Sequence, residues 1–346
     1  MKKILIIGGS GNVGANLYHF FKQKDLNVFT LSRRHTINSK NNFSVDLVNE
    51  KSIAEFFKKN QKFDEIIYSA YYHSENVQDI YDKNIEMFSN LLSSIQKSSI
   101  CSIKNFMLVE GTKWYGSHLG EFKTPAKETD DVKKNHFYHY QQNLLESVAK
   151  KNNFSWIAIR PHTVCSNVIG FPMNLALIIS IYASICKYKN LKFTFPGNLQ
   201  NWNSVYQVTS AKILSDAIYW LLNNDKCKNN AFNLTNGDFF RWKNIWPRIA
   251  NHYNLDWEIK EKFSLAEFIS SEKDIWKEIS IKFNLQAMEI EKAVNWNFGD
   301  FIFSSKWDIM SDCTKLRKAG YNLSEDSEQM FLKLLSNFKE NQHTPY

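Results

Sequence analysis

Short apolar runs alternate with amphipathic stretches throughout the first half of the chain. Runs rich in β-branched and aromatic residues predict strands at residues 3–7, 27–31, 65–69, 105–109 and 156–160. Between them, apolar positions recur with a helical period and predict helices at residues 16–24, 51–59, 79–96 and 135–150. Strands that alternate with helices are typical of an α/β fold, so we expect a doubly wound parallel sheet with helices on both faces.

The pattern changes after the strand that ends at Arg160. Glycines and prolines at residues 170, 172, 196 and 197 interrupt the chain, and the remainder is mostly helical and rich in tryptophan. We therefore predict a first domain over residues 1–165, to which residues 205–236 return. A smaller, mostly helical C-terminal domain is predicted over residues 166–204 and 237–346.

A glycine-rich loop joins the first predicted strand to the first predicted helix. Gly8, Gly11 and Gly14 stand in GxxGxxG spacing, with Asn12 and Val13 between the last two. Glycine permits a tight turn and a close backbone approach, which let a pyrophosphate rest against the free N–H groups of a helix N-terminus. The order of strand, loop and helix is that of a Rossmann dinucleotide site, so we predict that these five residues bind a nicotinamide cofactor.

The second predicted strand ends in Ser32, Arg33 and Arg34, where an NAD-binding fold usually has an acidic residue for the ribose 2′-hydroxyl. Guanidinium groups match the oxygens of a 2′-phosphate instead and keep their charge at any physiological pH. The sequence therefore predicts NADPH/NADP⁺ rather than NADH. Asp46 stands where such folds have an acid near the adenine, although a helix-capping role explains it equally well.

Charge and cysteine content exclude several other classes of function. The formal net charge is +8, but the lysines are scattered singly or in pairs, which favours a solvated basic surface over a nucleic-acid site. The longest apolar stretch of the chain is well short of the ~20 residues that span a bilayer. The five cysteines are far apart, and no histidines have metal-ligand spacing. We expect a cytoplasmic protein without a membrane span, a nucleic-acid partner or a metal site.

Residues 110–116, after the fourth predicted strand, read EGTKWYG, and further motifs continue nearly to the end of the chain. These are RPHT at 160–163, IGFPMN at 169–174, YASICK at 182–187 and AFNLTNGD at 231–238. Together they resemble the progesterone 5β-reductase and iridoid synthase family of atypical short-chain dehydrogenases/reductases. The resemblance implies that Lys113 replaces the lysine of the usual Tyr-x-x-x-Lys motif. It further implies that Pro161, Thr163 and Val164 face the nicotinamide, and that the helical domain is a lid over the substrate.

The chain departs from the family pattern at the start of the fourth predicted helix. The family has Asn-Phe-Tyr-Tyr, with the second tyrosine as the donor to the substrate carbonyl, whereas residues 136–140 read HFYHY. An ungapped alignment puts His139 in that place, and a shift of one residue restores Tyr138. Neighbours on a helix point about 100° apart, so at most one of these side chains faces the substrate.

The resemblance implies NADPH-dependent 1,4-hydride addition to the C=C bond of a small apolar enone or enal, with Lys113 and either His139 or Tyr138 as catalytic residues. Two alternatives stay open. A site without the usual tyrosine could use NADP(H) as a scaffold for cyclisation or isomerisation without net redox chemistry, or the protein could be a non-catalytic NADP(H) sensor. A homodimer is compatible with each of these functions.

Overall fold

The computed structural model describes residues 2–33, 40–60, 62–98, 103–131 and 136–346. In chain order, the strands of this part are β1 Lys3–Ile7, β2 Asn27–Ser32, β3 Asn42–Ser44, β4 Glu65–Tyr68, β5 Asn105–Val109, β6 Ser155–Pro161, β7 Val164–Cys165, β8 Phe193–Phe195, β9 Val205–Tyr206, β10 Thr209–Ser210, β11 Asn230–Leu234, β12 Phe240–Arg241 and β13 Trp257–Ile259.

The helices are α1 Asn12–Lys22, α2 Glu50–Lys59, α3 Val77–Lys97, α4 Phe137–Asn152, α5 Leu175–Tyr188, α6 Leu199–Asn203, α7 Ala211–Leu222, α8 Trp242–His252, α9 Leu265–Ser271, α10 Lys273–Lys282, α11 Ile290–Ala293, α12 Trp296–Phe303, α13 Thr314–Ala319 and α14 Ser327–Glu340. Short 3₁₀ helices cover Thr112–Tyr115 and Asp225–Cys227.

Seven of the described strands form one parallel sheet in the order β11-β6-β5-β4-β1-β2-β3. Ile4 of β1 pairs with Val28 of β2 on one side and with Glu65 of β4 on the other. Because the strands are parallel, their carboxyl ends share one edge, and the strand order reverses between β1 and β4. A ligand crevice forms at such a switch point.

Side chains of β1 alternate between two apolar layers that cover the sheet. Ile4 and Ile6 pack in the cluster that contains residues of α1 and α7, while Leu5 and Ile7 pack in the cluster of α2 and α3. A strand buried on both faces needs a continuous apolar sequence, which explains the run from Ile4 to Ile7. The prediction of a doubly wound parallel sheet with a mostly helical C-terminal part is confirmed.

Boundaries differ from the sequence prediction at a few elements. Helix α1 begins at Asn12 rather than at residue 16, directly after the glycine loop. The short strand β3 and the strand β11 were not predicted, because β3 has only three residues and β11 carries asparagine at Asn230 and Asn233. In β11, Asn233 is fully buried and hydrogen-bonds to backbone carbonyls, so an apolar pattern could not indicate its burial.

A third apolar cluster lies in the C-terminal half around α5, which is buried from Leu175 to Cys186. Strand β11 pairs with β6 in the central sheet, whereas Tyr206 and Val208 pack in the C-terminal cluster. Leu316 and Tyr321 pack in the cluster of α1 and α7 instead. Short segments of each predicted domain thus pack in the apolar cluster of the other. The predicted domain boundaries therefore stay predictions.

Candidate active site

The glycine loop lies between the carboxyl ends of β1 and β4, at the switch point of the sheet. Gly8 has φ +91°, a conformation that strongly favours glycine. A Cβ atom on Gly14 would lie 2.2 Å from the carbonyl oxygen of Gly8, so any larger residue there collides with the backbone. The loop is closed by a hydrogen bond from Gly11 N to Gly8 O of 2.8 Å. Its spacing is thus a requirement of its own backbone.

Residues of this loop fit the pyrophosphate of a dinucleotide. Gly11 is the N-cap of α1 and provides no side-chain hydrogen bond to the first helical N–H groups, and the first turn has no acidic residue. The N-terminal amides at Asn12, Val13 and Gly14 are thus open to an anion, which the helix dipole also attracts. A cofactor phosphate group would supply the acceptors that no side-chain cap supplies.

Asn12 connects this loop to the segment after β6. Its side-chain amide donates to the carbonyl oxygen of Val164 at 3.0 Å, and Ser166 Oγ donates to Asn12 Oδ1 at 2.6 Å. Residues 161–164, which the family resemblance assigns to the nicotinamide, therefore lie beside the N-terminus of α1. Thr163 has φ +29°, and Tyr206 hydrogen-bonds to its hydroxyl at 2.9 Å.

At the end of β2 the structure describes Ser32 and Arg33, while Arg34 lies outside the described residues. Ser32 is buried and Arg33 is exposed. The Arg33 guanidinium carbon lies 5.7 Å from the ring centroid of Tyr72, four residues after the end of β4. Arg33 is thus an exposed cation, held near the Tyr72 ring, at the edge where a ribose phosphate would lie.

Asp46 is exposed and its side chain accepts a hydrogen bond from Val48 N at 3.1 Å, which forms a local turn. The N-cap of α2 is Asn49, whose side chain accepts from Lys51 and Ser52. The helix-capping explanation of Asp46 is therefore wrong. Its proposed position near the adenine stays a prediction.

Lys113 lies in the 3₁₀ turn that follows β5, at the same edge of the sheet. Its Nζ donates to the hydroxyl oxygen of Tyr71 at 3.4 Å and lies 5.6 Å from the Tyr71 ring centroid. The ring of Phe301, which is 44% exposed on α12, is 5.9 Å from the same ammonium group. The Lys113 ammonium is thus directed toward a half-open space between β4, β5 and the C-terminal helices.

Every other side chain of this turn is held by residues from distant segments. Thr112 Oγ1 lies 2.6 Å from Nδ1 of His162. Tyr115 donates to Asn233 Oδ1 at 2.7 Å and accepts from Arg160 Nη1 at 3.0 Å. The Arg160 guanidinium carbon lies 3.6 Å from the ring centroid of Trp114. The Lys113 ammonium, by contrast, contacts the Tyr71 hydroxyl and the rings of Tyr71 and Phe301 at the crevice.

Arg160 is buried and pairs with the buried carboxylate of Glu110, at 2.8 Å between Nε and Oε2. It also donates to Gln142 of α4 at 2.9 Å. Burial raises the pKa of Glu110 to about 7, although the charge of Arg160 opposes this shift. A buried charge is expensive without a partner, so the two groups depend on each other and together anchor the turn to β5, β6 and α4.

The first residues of α4 point in three different directions. Tyr140 is exposed and its hydroxyl lies 3.4 Å from Ser89 of α3, outside the crevice. Tyr138 is half-buried and extends to Gly111. A Cβ atom on Gly111 would lie 3.8 Å from the Tyr138 hydroxyl and 3.4 Å from the carbonyl oxygen of Pro161. Within the described residues the Tyr138 hydroxyl has no hydrogen-bond partner.

His139 uses both ring nitrogens within the protein. Its Nδ1 accepts from the backbone N–H of His136 at 2.9 Å, so the proton of the neutral ring is on Nε2, which donates to the carbonyl oxygen of Trp114 at 3.0 Å. The ring also lies edge-on to Trp114, 4.2 Å between centroids. Burial and the charge of Arg160 lower the pKa of His139. The ring is therefore a neutral link between α4 and the Lys113 turn.

Protonation of the neighbouring groups follows from their burial. Burial raises the pKa of Tyr138 well above its usual value, and Tyr71 and Glu110 add to the effect. Tyr138 is thus a neutral phenol throughout the usual pH range and can donate a hydrogen bond. His136, the N-cap of α4, has its pKa lowered to about 3 by burial and by His118 and Lys113, so it is neutral too.

The tryptophans of α8 are part of the apolar core of the C-terminal half. Trp242 and Trp246 are fully buried, and Trp246 stacks on Phe193 at 4.1 Å between ring centroids. A cavity of about 670 Å³ lies elsewhere, between α1, α7 and α14, and none of the predicted site residues lines it. Among the described residues, no helix is long and apolar enough to cross a membrane, and no cluster of three or more His, Cys, Asp or Glu side chains could hold a metal ion.

Comparison with known proteins agrees with this architecture. The model of the NAD dependent epimerase/dehydratase family matches residues 4–234, about two thirds of the chain. The chain belongs to this family. It is therefore a member of the short-chain dehydrogenase/reductase superfamily of nicotinamide-dependent enzymes, which is consistent with the glycine loop and the seven-stranded sheet.

Among curated relatives, the (S)-8-oxocitronellyl enol synthase of Catharanthus roseus is 28% identical, with 81% of this chain and 74% of that protein covered. The enol synthase ISY1 of Nepeta cataria is 23% identical over 97% of this chain and 91% of its own length. A short chain dehydrogenase of Penicillium aethiopicum is 26% identical, with 79% of this chain and 77% of that protein covered. The resemblance to the progesterone 5β-reductase and iridoid synthase family is confirmed.

Solved structures show the same fold at low identity. The GDP-mannoheptose C4 reductase of Campylobacter jejuni, with NADP bound, has a TM-score of 0.70 at 14% identity, with 98% of each chain covered. The UDP-glucose 4-epimerase of Thermotoga maritima, with UDP-glucose, has a TM-score of 0.68 at 14% identity, with 98% of this chain and 99% of that chain covered. Both likenesses concern the fold.

Sequence reasoning missed Tyr71, Tyr72 and Phe301, which surround the crevice. Tyr71 and Tyr72 follow β4 closely, at the carboxyl edge of a central strand, and that position was a usable signal. Phe301 lies on α12 more than 180 residues from Lys113, and only the packing of the C-terminal half brings it to the site.

Proposed function

We propose that the protein reduces the C=C bond of a small apolar enone or enal, with NADPH as the reductant. The single observation that carries the proposal is the position of Tyr138. Its unpartnered hydroxyl lies against Gly111, two residues before Lys113, whose ammonium is directed to the same crevice beside the glycine loop. The names of the enol synthase relatives support the same chemistry.

In this proposal Tyr138 donates a hydrogen bond to the substrate carbonyl. Hydride addition to the β-carbon builds negative charge on that oxygen, and the neutral phenol stabilises the charge by its hydrogen bond. The α-carbon of the enolate then takes a proton from water, which completes the saturated product. Lys113 adds positive potential nearby and binds the ribose hydroxyls of the cofactor. When bound, a reduced nicotinamide supplies the hydride. Residues 161–164, which Asn12 binds through the Val164 carbonyl, form the floor of the crevice beside the N-terminus of α1.

His139 is the residue that the ungapped alignment favoured as donor, and its contacts argue against that role. Its only ring N–H is committed to the Trp114 carbonyl, and a proton on Nδ1 would break the bond from His136 N. Donation to a substrate would leave the Trp114 carbonyl or the His136 amide without its partner, at a cost of about 1–3 kcal/mol. We therefore propose Tyr138 as the donor and a structural role for His139.

NADPH rather than NADH is proposed because the sequence after β2, at residues 33–39, has two arginines and no acidic residue that would bind a ribose 2′-hydroxyl. Arg33 is exposed and braced by Tyr72, so it can reach a 2′-phosphate with little loss of side-chain entropy. Arg34 follows it directly in the sequence and is proposed to share the contact.

The test is a reductase assay with matched variants at three consecutive positions of α4. With NADPH and a panel of enals and enones, we expect loss of absorbance at about 340 nm and a product two mass units heavier. Tyr138→Phe should lower kcat by about 10²–10³-fold, or about 2.7–4 kcal/mol of barrier. Tyr140→Phe is the control for a tyrosine outside the crevice and should match the wild type.

Other outcomes would contradict parts of this proposal. A severe loss in His139→Gln with a mild Tyr138→Phe would restore His139 as donor. Product without consumption of NADPH would indicate a cyclase or isomerase that keeps the cofactor as a scaffold. Tight NADPH binding with no reaction in the whole panel would favour the sensor.

A further inference from the structure

His162 lies at the carboxyl end of β6 and is buried, with 8% of its surface exposed. Its Nδ1 is 2.6 Å from Thr112 Oγ1, and its Nε2 is 3.3 Å from Thr163 Oγ1. Burial lowers its pKa to about 3, so the ring is neutral and one nitrogen donates while the other accepts. The reaction proposed above leaves this ring without a role.

The two partners of His162 belong to the two sides of the crevice. Thr112 begins the turn that carries Lys113, immediately before that lysine. Thr163 has a left-handed φ of +29°, which is strained for a β-branched residue, in the segment whose Val164 carbonyl binds Asn12. Strain of this kind persists only where the surroundings hold it.

A chain of polar groups runs through the ring. Ser117 Oγ donates to Thr112 Oγ1 at 3.4 Å, and Thr163 Oγ1 is 2.9 Å from the Tyr206 hydroxyl. The His162 backbone N–H donates to Thr209 at 3.1 Å, so the ring itself is firmly placed. The imidazole thus spans the gap between the Lys113 turn and the floor of the crevice.

We propose that His162 is a positioning residue that fixes the Lys113 turn against the strained Thr163 segment and so sets the distance between the Lys113 ammonium and the nicotinamide site. The proposal rests on the proposed function for the role of Lys113, but the mechanical coupling does not. Small errors of placement at reacting atoms are costly, since a shift of about 1 Å lowers rates by about 10²-fold.

Three variants separate the two bonds of the ring. Thr112→Val removes the hydroxyl but keeps the shape, and His162→Phe removes both ring nitrogens and fills the volume. His162→Asn keeps a polar atom near the Nδ1 position, so it can still bond Thr112 while its shorter side chain does not reach Thr163. Each protein is the full chain with NADP⁺ added.

The first readout is amide hydrogen exchange, which needs no substrate. In His162→Phe and Thr112→Val we expect exchange in residues 112–115 to rise at least about tenfold, with exchange in β1 unchanged. His162→Asn should keep the turn close to wild type and loosen residues 161–164. Unchanged exchange in the turn of both His162→Phe and Thr112→Val would overturn the coupling.

The second readout is kinetic. We expect His162→Phe to lower kcat by about ten- to a hundredfold while KM for the enal changes less than about threefold. Adding Thr112→Val to His162→Phe should cost little more, because the shared bond is already lost. Multiplicative losses in the double variant would overturn the proposal. If the wild type reduces no enal or enone, the proposed function fails, and the exchange result alone then decides the coupling.

Discussion

The glycine loop after β1 and the Lys113 turn after β5 lie at the same edge of the sheet but are built in different ways. The loop depends on its own backbone: Gly8 has a left-handed φ, and Gly14 has no room for a Cβ atom. The turn depends on side chains that come from β6, α4 and β11. The glycine spacing of the loop is therefore set locally, whereas the Lys113 turn is assembled from distant segments.

The largest effect is expected from a substitution that removes a support of the Lys113 turn. Arg160→Met leaves the Glu110 carboxylate buried without its guanidinium partner and removes the support under Trp114. Loss of one member of a buried ion pair costs about 3–5 kcal/mol. We expect a decrease of that size in the free energy of unfolding, measured by urea denaturation. A loss below about 1 kcal/mol would mean that the pair is not a support of the turn.

The next largest effect is expected in the glycine loop. Gly14→Ala puts a methyl group against the Gly8 carbonyl oxygen, so the loop must shift, at a cost of about 3 kcal/mol, and the pyrophosphate site is distorted. We expect NADPH binding, followed by calorimetry, to become undetectable. Gly170→Ala is the control for a strained backbone outside the loop, since Gly170 also has a positive φ of +92° although a Cβ atom there meets no neighbour, and it should leave NADPH affinity unchanged. Equal cofactor affinity in Gly14→Ala and wild type would contradict the loop assignment.

Cofactor preference is the next test, and it concerns Arg33 at the end of β2. Arg33→Ala should weaken NADPH binding by about 1.5–3 kcal/mol, or roughly tenfold or more, because a charge-assisted contact to the 2′-phosphate is lost. Affinity for NADH should be nearly unchanged and serves as the internal control. Equal losses for the two cofactors would argue that Arg33 supports the fold and not the phosphate.

The smallest effect is a dependence of stability on pH, which originates at His162, beside the Lys113 turn. His162 has its folded-state pKa lowered to about 3 by burial, whereas the unfolded chain protonates it near its usual value. Between these values the unfolded state binds more protons, so stability is full above the unfolded pKa and is lost as pH falls. From pH 7 to pH 5 this residue should account for about 2 kcal/mol.

Denaturant unfolding at the two pH values measures that contribution, with His162→Asn as the variant that cannot titrate. The loss of stability between pH 7 and pH 5 should be smaller in His162→Asn than in the wild type by about 2 kcal/mol. The same loss in both proteins would mean that His162 titrates alike in the folded and unfolded states.

Much of the sheet could be predicted because its signals are local. The apolar run at β1 and the strand at Asn105–Val109 agree with the sequence prediction in their bounds. Polar residues hid other elements: β11 is buried beside β6 although asparagines interrupt its apolar pattern. An asparagine is typical of a turn until its partners are known, and the partners of Asn233 are 107 and 79 residues away along the chain.

The sequence alone determined the glycine spacing and the order of strand, loop and helix. A position that needs a positive φ, or that has no room for a Cβ atom, requires glycine, and glycine is visible in the sequence. The direction of Tyr138, His139 and Tyr140 was decided only by the tertiary structure. An alignment compares positions along the chain, but one residue along a helix is a rotation of about 100°. Which phenol or imidazole faces the crevice thus depends on how α4 packs against Trp114, Gly111 and α3.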